Sequence, residues 1–177
     1  MLKRGFAFFQ RVGAALMVPV AVLPIAGLLY GLGAAKFAFL PAVLSTLMAQ
    51  GGGAIFASLP VLFAVAVALA FTQNEPVAAI SAVIAHVVML ATMRGLVEQT
   101  TAVGNTMETG VFGGILTGAL VAYLFNRFHK VTLPAWLGFF AGRRFVPIVT
   151  AVSAFGLGLV LSIAWPWLSQ GVGFVSH

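Results

Sequence analysis

TGVFGGILTGALVAYLFN, residues 109–126, lies between Glu108 and Arg127 and carries no charge along its length. As an α-helix it is about 27 Å long at 1.5 Å per residue, close to a bilayer hydrocarbon core of about 30 Å. Four more uncharged intervals occupy 12–35, 37–74, 76–93 and 145–177. One charge near the bilayer centre costs about 2.5–3.5 kcal/mol on insertion scales. A chain that confines its nine Lys and Arg and three Glu to short clusters between such intervals is suited to lipid. The spacing identifies an integral membrane protein.

Composition agrees. Hydrophobic residues make up 62% of the 177 residues, charged residues 7%, and mean hydropathy is +1.12. Soluble domains carry about 25% charged residues. The formal charge of +6 does not point to nucleic acid, because the cations stand at the ends of apolar segments. There they set topology or meet anionic lipid. With no cysteines, the chain has no disulfide, thiolate metal site or Cys nucleophile. Lys3, Arg4 and Arg11 resemble the start of a secretory signal, with Ala34-Ala35 near a cleavage point. The following uncharged interval is longer than an ordinary signal core and Pro19 and Pro24 interrupt it, so retention as a span is expected.

The expected fold is all-α: a polytopic membrane protein with five transmembrane helices, forming a single domain over 1–177. Residues 2–12 (LKRGFAFFQRV) read as an amphipathic surface helix. The spans are expected at about 14–33, 54–72, 77–95, 109–125 and 147–168. The interval 37–74 is too long for one ordinary span, and Gln50-Gly51-Gly52-Gly53 reads as a break in it. Residues 38–49 are therefore expected as a short re-entrant or interfacial helix.

The cations orient these spans. With a cytoplasmic N-terminus, Lys3, Arg4, Arg11, Arg127, Lys130, Arg143 and Arg144 lie inside, and Lys36 and Arg94 outside. That distribution obeys the positive-inside rule and the reverse orientation breaks it. Glu98 and Glu108 then fall outside, with Glu75 in a tight inside turn.

Small residues recur where helices should meet. Gly110, Gly114, Gly118 and Ala122 form one face of the fourth span, and Gly27 and Gly31 a shorter pair on the first. Such faces let backbones approach closely in lipid, either within one chain or between subunits.

No soluble-enzyme motif is present. Gly51-Gly52-Gly53 lacks the Lys-Ser/Thr of a phosphate loop, the three Glu are scattered over different loops, and the histidines lack metal-ligand spacing. No catalytic residue, cofactor-binding residue or metal ligand is assigned. His86 is the ionisable residue placed well inside a span, with Ala78 and Ala82 preceding it at four-residue intervals on a small-residue face towards neighbouring helices. It reads either as a neutral imidazole bonded to a neighbouring carbonyl or hydroxyl, or as a polar site on a solute pathway. The loop NRFHKVTLPAWLGFFAGRR, residues 126–144, is the other candidate. It reads as an interfacial anchor through Trp136 and Phe139-Phe140, or as a docking surface in which Arg143 and Arg144 meet an acidic or phosphorylated partner.

Four stretches carry a family resemblance: FFQRVGAALMVPVAVLPIAGLLYGLG at 8–33, GGAIFASLPVLFAVAVALAFTQNE at 52–75, TGVFGGILTGALVAYLFNRF at 109–128 and LPAWLGFFAGRRFVPI at 133–148. In that order they resemble the N-terminal half of enzyme IIC, the membrane domain of the glucose-type bacterial phosphotransferase system. FAFLPAVLSTLMAQGGG and YLFNRFHKVTLPAWLGFFAGRRF look closer to glucose permeases than to those for N-acetylglucosamine or maltose. The resemblance implies a dimeric component of a sugar permease in the bacterial plasma membrane. It also implies a partner, enzyme IIB, whose phosphocysteine donates its phosphoryl group to the bound hexose.

Departures from the family bound what the chain is expected to do. Members of the family have a membrane domain about twice as long, and their sugar-binding His and Gly-Ile-Thr-Glu-Pro motif belong to a second half that is not found here. Asn74-Glu75-Pro76 stands where an Asp-Gly-type turn is usual, and His86 is unexpected at its position. The chain is thus expected to be a half-domain that neither binds nor phosphorylates glucose alone. It is either a part completed by a second polypeptide, or a remnant or assembly module that joins intact subunits without handling sugar.

Overall fold

The computed structural model describes the backbone of residues 2–99 and 109–175 and the side chains of 10–96 and 109–164. Among these residues the fold is all-helical: α1 (Leu2–Val20), α2 (Leu23–Ala34), α3 (Ala42–Phe71), α4 (Pro76–Gln99), α5 (Gly110–Phe128) and α6 (Phe145–Val175). Two short 3-10 turns, Ala135–Phe140 and Gly142–Arg144, shape the connection between α5 and α6. Five segments are long and apolar enough to cross a membrane: Gln10–Ala34, Ala42–Phe71, Pro76–Leu96, Gly110–Phe128 and Gly142–Ala164. The expected five-span, all-α class is thereby observed.

Two boundaries differ from the sequence reading. The segment at 2–12 is no separate surface helix, since α1 runs on to Val20 and the chain turns at Ala21-Val22 before α2. Pro24 sits in the first turn of α2. It has no N–H for the Val20 carbonyl and its ring crowds that carbonyl, so the break falls between them. The first span is therefore two helical pieces in series.

The second correction concerns 38–49. That segment is no re-entrant or interfacial helix, and Gln50–Gly53 is no break: α3 is one 30-residue helix through both. The glycines are contacts. A Cβ on Gly52 would lie 2.5 Å from the Tyr30 backbone nitrogen and 2.7 Å from the Ala26 carbonyl. On α2, Gly33 likewise meets the backbone of Ser45 and Ala49. Helix propensity in water penalises glycine, but in lipid the backbone hydrogen bonds have no aqueous competitor and close helix approach offsets the loss.

The centre of the bundle is built from small residues. α3 packs on α5, α4 on α6, and α3 on α4. Ala64, Ala68, Ala78, Ala82, Ala85 and Ala154 are fully or almost fully buried together, with Val121, Phe125 and Val146 filling between them. Gly114 lies against the Pro60 carbonyl, and a Cβ on Gly118 would stand 2.5 Å from that of Ala64. Gly114 and Gly118 of the α5 face are therefore spent on contact with α3 inside the chain, while Gly110 at its start stays exposed.

Helix ends follow local chemistry. α3 stops at Phe71 with Gln73 and Asn74 both at positive φ, 56° and 61°. The Asn74 N–H donates to the Leu69 carbonyl at 3.0 Å, a Schellman-type closure. Pro76 then opens α4, where its missing N–H costs nothing. This turn and the α5–α6 connection share one end of the bundle, here called the loop end.

Candidate functional site

At the loop end, the α5–α6 connection is tied to the α3–α4 turn. Arg143 donates from Nη1 to Glu75 Oε2 at 2.9 Å, and Asn126 Nδ2 donates to the Phe71 carbonyl at 3.1 Å. Both links join residues distant in sequence. The Arg143 side chain is 63% exposed and Glu75 22%, so the ion pair itself is worth about 0–1 kcal/mol.

The connection has a defined shape. The Gly142 N–H donates to the Val131 carbonyl at 2.9 Å, with Gly142 at φ 69°, a conformation that favours glycine. His129 stacks on Phe125 with ring centroids 5.1 Å apart, and its Nδ1 lies 2.8 Å from the Phe125 carbonyl. The Arg144 guanidinium lies 4.8 Å from the Phe139 ring centroid. Trp136 is 82% exposed beside them.

Arg127, Lys130, Arg143 and Arg144 are all exposed on this end. Arg143 and Arg144 immediately precede the N-terminus of α6, where the helix dipole disfavours cations. Local helix stability does not account for their position. Arg143 has a carboxylate partner in Glu75, whereas Arg144 offers its charge to the surroundings while resting on an aromatic ring.

His86 belongs to a different place. It is 2% exposed on the face of α4 that also carries Ala78, Ala82 and Met89, all fully buried. The small-residue face therefore does turn towards neighbouring helices, as the alanine spacing predicts. Among the described residues, no hydrogen-bond partner is present for the His86 Nδ1 atom. About eleven residues of helix separate it from Glu75, roughly 16 Å along the axis. The structure thus keeps His86 apart from Arg143 and Arg144.

A cavity of about 420 Å³ adjoins His86, in the part of the bundle away from the loop end. Phe56 and Pro60 from α3, Leu90 and Arg94 from α4, and Thr109 and Gly110 at the start of α5 are among its walls. The Thr109 hydroxyl is buried and, among the described residues, without a partner, like His86 Nδ1. Sequence reasoning singled out His86 but missed Arg94 and Thr109 beside it. They come from separate helices, and no spacing in the chain announces that they meet. Asn126, which pins the loop end, was missed for the same reason.

Comparison with known protein families matches residues 13–176, nearly the whole chain, to the family described as Phosphotransferase system, EIIC.

Proposed function

The chain belongs to the phosphotransferase system EIIC family, and from that membership we propose that it serves as the N-terminal, scaffold half of a hexose-translocating domain, with glucose as the sugar. The family match over 13–176 is the observation that carries this reading. Its partner is an enzyme IIB domain on the cytoplasmic side of a bacterial plasma membrane. There the phosphocysteine S–P bond breaks as a new P–O bond forms to the sugar hydroxyl. The sugar itself is held with a second half that supplies the gripping residues.

The loop end supports this assignment by its chemistry. Exposed Arg127, Lys130 and Arg144 present positive charge suited to an acidic or phosphorylated surface. The Glu75 and Asn126 links hold that surface against the bundle. By the positive-inside rule the loop end and the N-terminus are cytoplasmic. Gly27 and Gly31 on α2 are exposed and have nothing within 4 Å of an added Cβ, which leaves their face available for a homodimer. A second reading, an assembly module that joins intact subunits without handling sugar, is favoured by the same open face.

Uptake of labelled glucose and formation of sugar phosphate separate the two readings. Membranes with this chain alone should show neither. Supplying the second half and phosphorylated enzyme IIB should produce both, and Arg144→Gln should then weaken IIB association. Assembly with the second half but no uptake would favour the module; uptake by the chain alone would overturn the division between halves. Orientation has its own check. Cys replacing Ser169 should react with an impermeant thiol reagent applied outside, while Cys replacing Arg143 stays protected.

A further inference from the structure

Among the described residues, Arg143 is the loop-end cation held by a carboxylate, and the form of that contact is informative. It is a single hydrogen bond, from Nη1 to Glu75 Oε2 at 2.9 Å, whereas a two-point fork is the strong arrangement for these groups. The guanidinium is exposed, so an incoming anion reaches it from outside the bundle. An exposed pair of this kind adds little to stability. Other contacts hold the loop end together. Asn126 Nδ2 donates to the Phe71 carbonyl, tying α5 to the end of α3, and the Phe128 and Phe145 rings meet edge-on at 6.2 Å. The Arg143–Glu75 bond therefore joins two elements that stay in place without it.

Glu75 is the other half of the observation. The chain has three Glu and no Asp, and Glu98 and Glu108 come at and after the opposite end of α4. Arg127, Lys130, Arg143 and Arg144 thus share one carboxylate. Glu75 also precedes Pro76, the first residue of α4, and its carbonyl accepts from the Ala78 N–H at 3.0 Å. A carboxylate released from Arg143 would stay beside the first turn of α4, where the helix dipole favours negative charge. Glu75 therefore has a second favourable position, and its place on Arg143 is open to exchange. A partner's carboxylate would replace like with like and gain nothing there. A phosphoryl group carries a charge of about −1.5 to −2 and three acceptor oxygens, so it displaces a carboxylate held by one bond.

We propose that Glu75 is a latch on Arg143, released when a phosphoryl group of the docking partner takes its place. This rests on the reading of the loop end as the surface for enzyme IIB, and it adds selection to that surface. With Glu75 on Arg143, an unphosphorylated partner meets Arg127, Lys130 and Arg144. A phosphorylated partner gains Arg143 as well. Once the phosphoryl group has left, Glu75 returns to Arg143 and the spent partner is held less tightly.

The test titrates the purified full chain in uncharged detergent with glucose-type enzyme IIB, phosphorylated and unphosphorylated, at constant ionic strength. Inorganic phosphate serves as a probe of the exchange without the partner. Wild type should bind the phosphorylated form about tenfold more tightly. Glu75→Gln should shrink that ratio by tightening the unphosphorylated form up to about fivefold, the most an exposed pair withholds. Arg143→Gln should shrink it from the other side, by weakening the phosphorylated form. Inorganic phosphate should bind Glu75→Gln more tightly than wild type, and in the Arg143→Gln background that gain should vanish. Melting temperatures should stay at the wild-type value, since the pair is exposed and the Asn126 tie remains. If enzyme IIB binds every variant with the same ratio, the latch is overturned while the docking reading stands. If enzyme IIB does not bind but phosphate shows the Arg143-dependent gain, the docking reading fails while the exchange at Arg143 stands. With no response to either probe, both fall. A gain from Glu75→Gln that persists without Arg143 also overturns the latch, because it marks general removal of negative charge.

Discussion

Glycines spaced four apart occur on α5 and on α2, and the two sets have opposite fates. Gly114 and Gly118 of α5 are buried against the carbonyls of Pro60 and Ala64 on α3. Gly27 and Gly31 of α2 face outward with nothing within 4 Å of an added Cβ. The same motif thus closes a helix pair in one place and leaves a face open in the other. Spacing shows that a helix can be approached; it does not say by what.

The sharpest way to break that comparison is to fill both faces. Gly114→Leu should destabilise the fold by about 3 kcal/mol, the upper end for overpacking, because the neighbour it meets is backbone. Gly27→Leu with Gly31→Leu should leave unfolding unchanged and abolish any crosslinkable dimer. Thermal unfolding in detergent and crosslinking in membranes read the two effects. Equal destabilisation by both sets would erase the distinction.

A finer version of the contrast lies within three consecutive residues. Gly51 has open space, Gly52 is pressed against Tyr30 and Ala26, and Gly53 meets the Tyr30 ring at 3.9 Å. Gly52→Ala should cost about 1–3 kcal/mol by forcing α2 and α3 apart. Gly51→Ala should be neutral or gain up to about 1 kcal/mol from helix propensity. Urea or thermal unfolding of the two variants checks the order. If α3 were broken at this point, neither substitution would show the difference.

The smallest effect is expected at the loop end, where polar groups are satisfied but exposed. Glu75→Gln, Arg143→Gln and their combination form a double-mutant cycle. The coupling should be about 0–1 kcal/mol and shrink as salt rises. A coupling well above that range would mean that the pair is shielded from water in the membrane-bound protein. Both partners would then be more structural than their exposure implies.

Much of the architecture is legible from the chain because it depends on local quantities. The charge-free lengths around 12–35, 37–74, 76–93, 109–126 and 145–177 each hold one segment long enough to span, and five spans result. His86 was read as facing neighbouring helices from Ala78 and Ala82 alone, and it is buried. The error at Gln50–Gly53 has a physical cause. A run of glycines reads as flexible when the helix is judged alone, yet Gly52 lies where α2 crosses α3. The error at 2–12 arose because polar-to-apolar composition changes near residue 13, whereas backbone geometry changes only at Pro24.

The sequence by itself determined that this protein lives in lipid, how many helices cross and which family it resembles. Those properties follow from transfer free energies summed along single segments and from motifs read in order. Tertiary structure alone decided which glycine face is closed, that Arg143 reaches Glu75, and that His86, Thr109 and Arg94 border one cavity. Each of those depends on the rotation and offset of one helix against another. That offset is set by side-chain packing across elements far apart in the chain, which no local pattern of residues records.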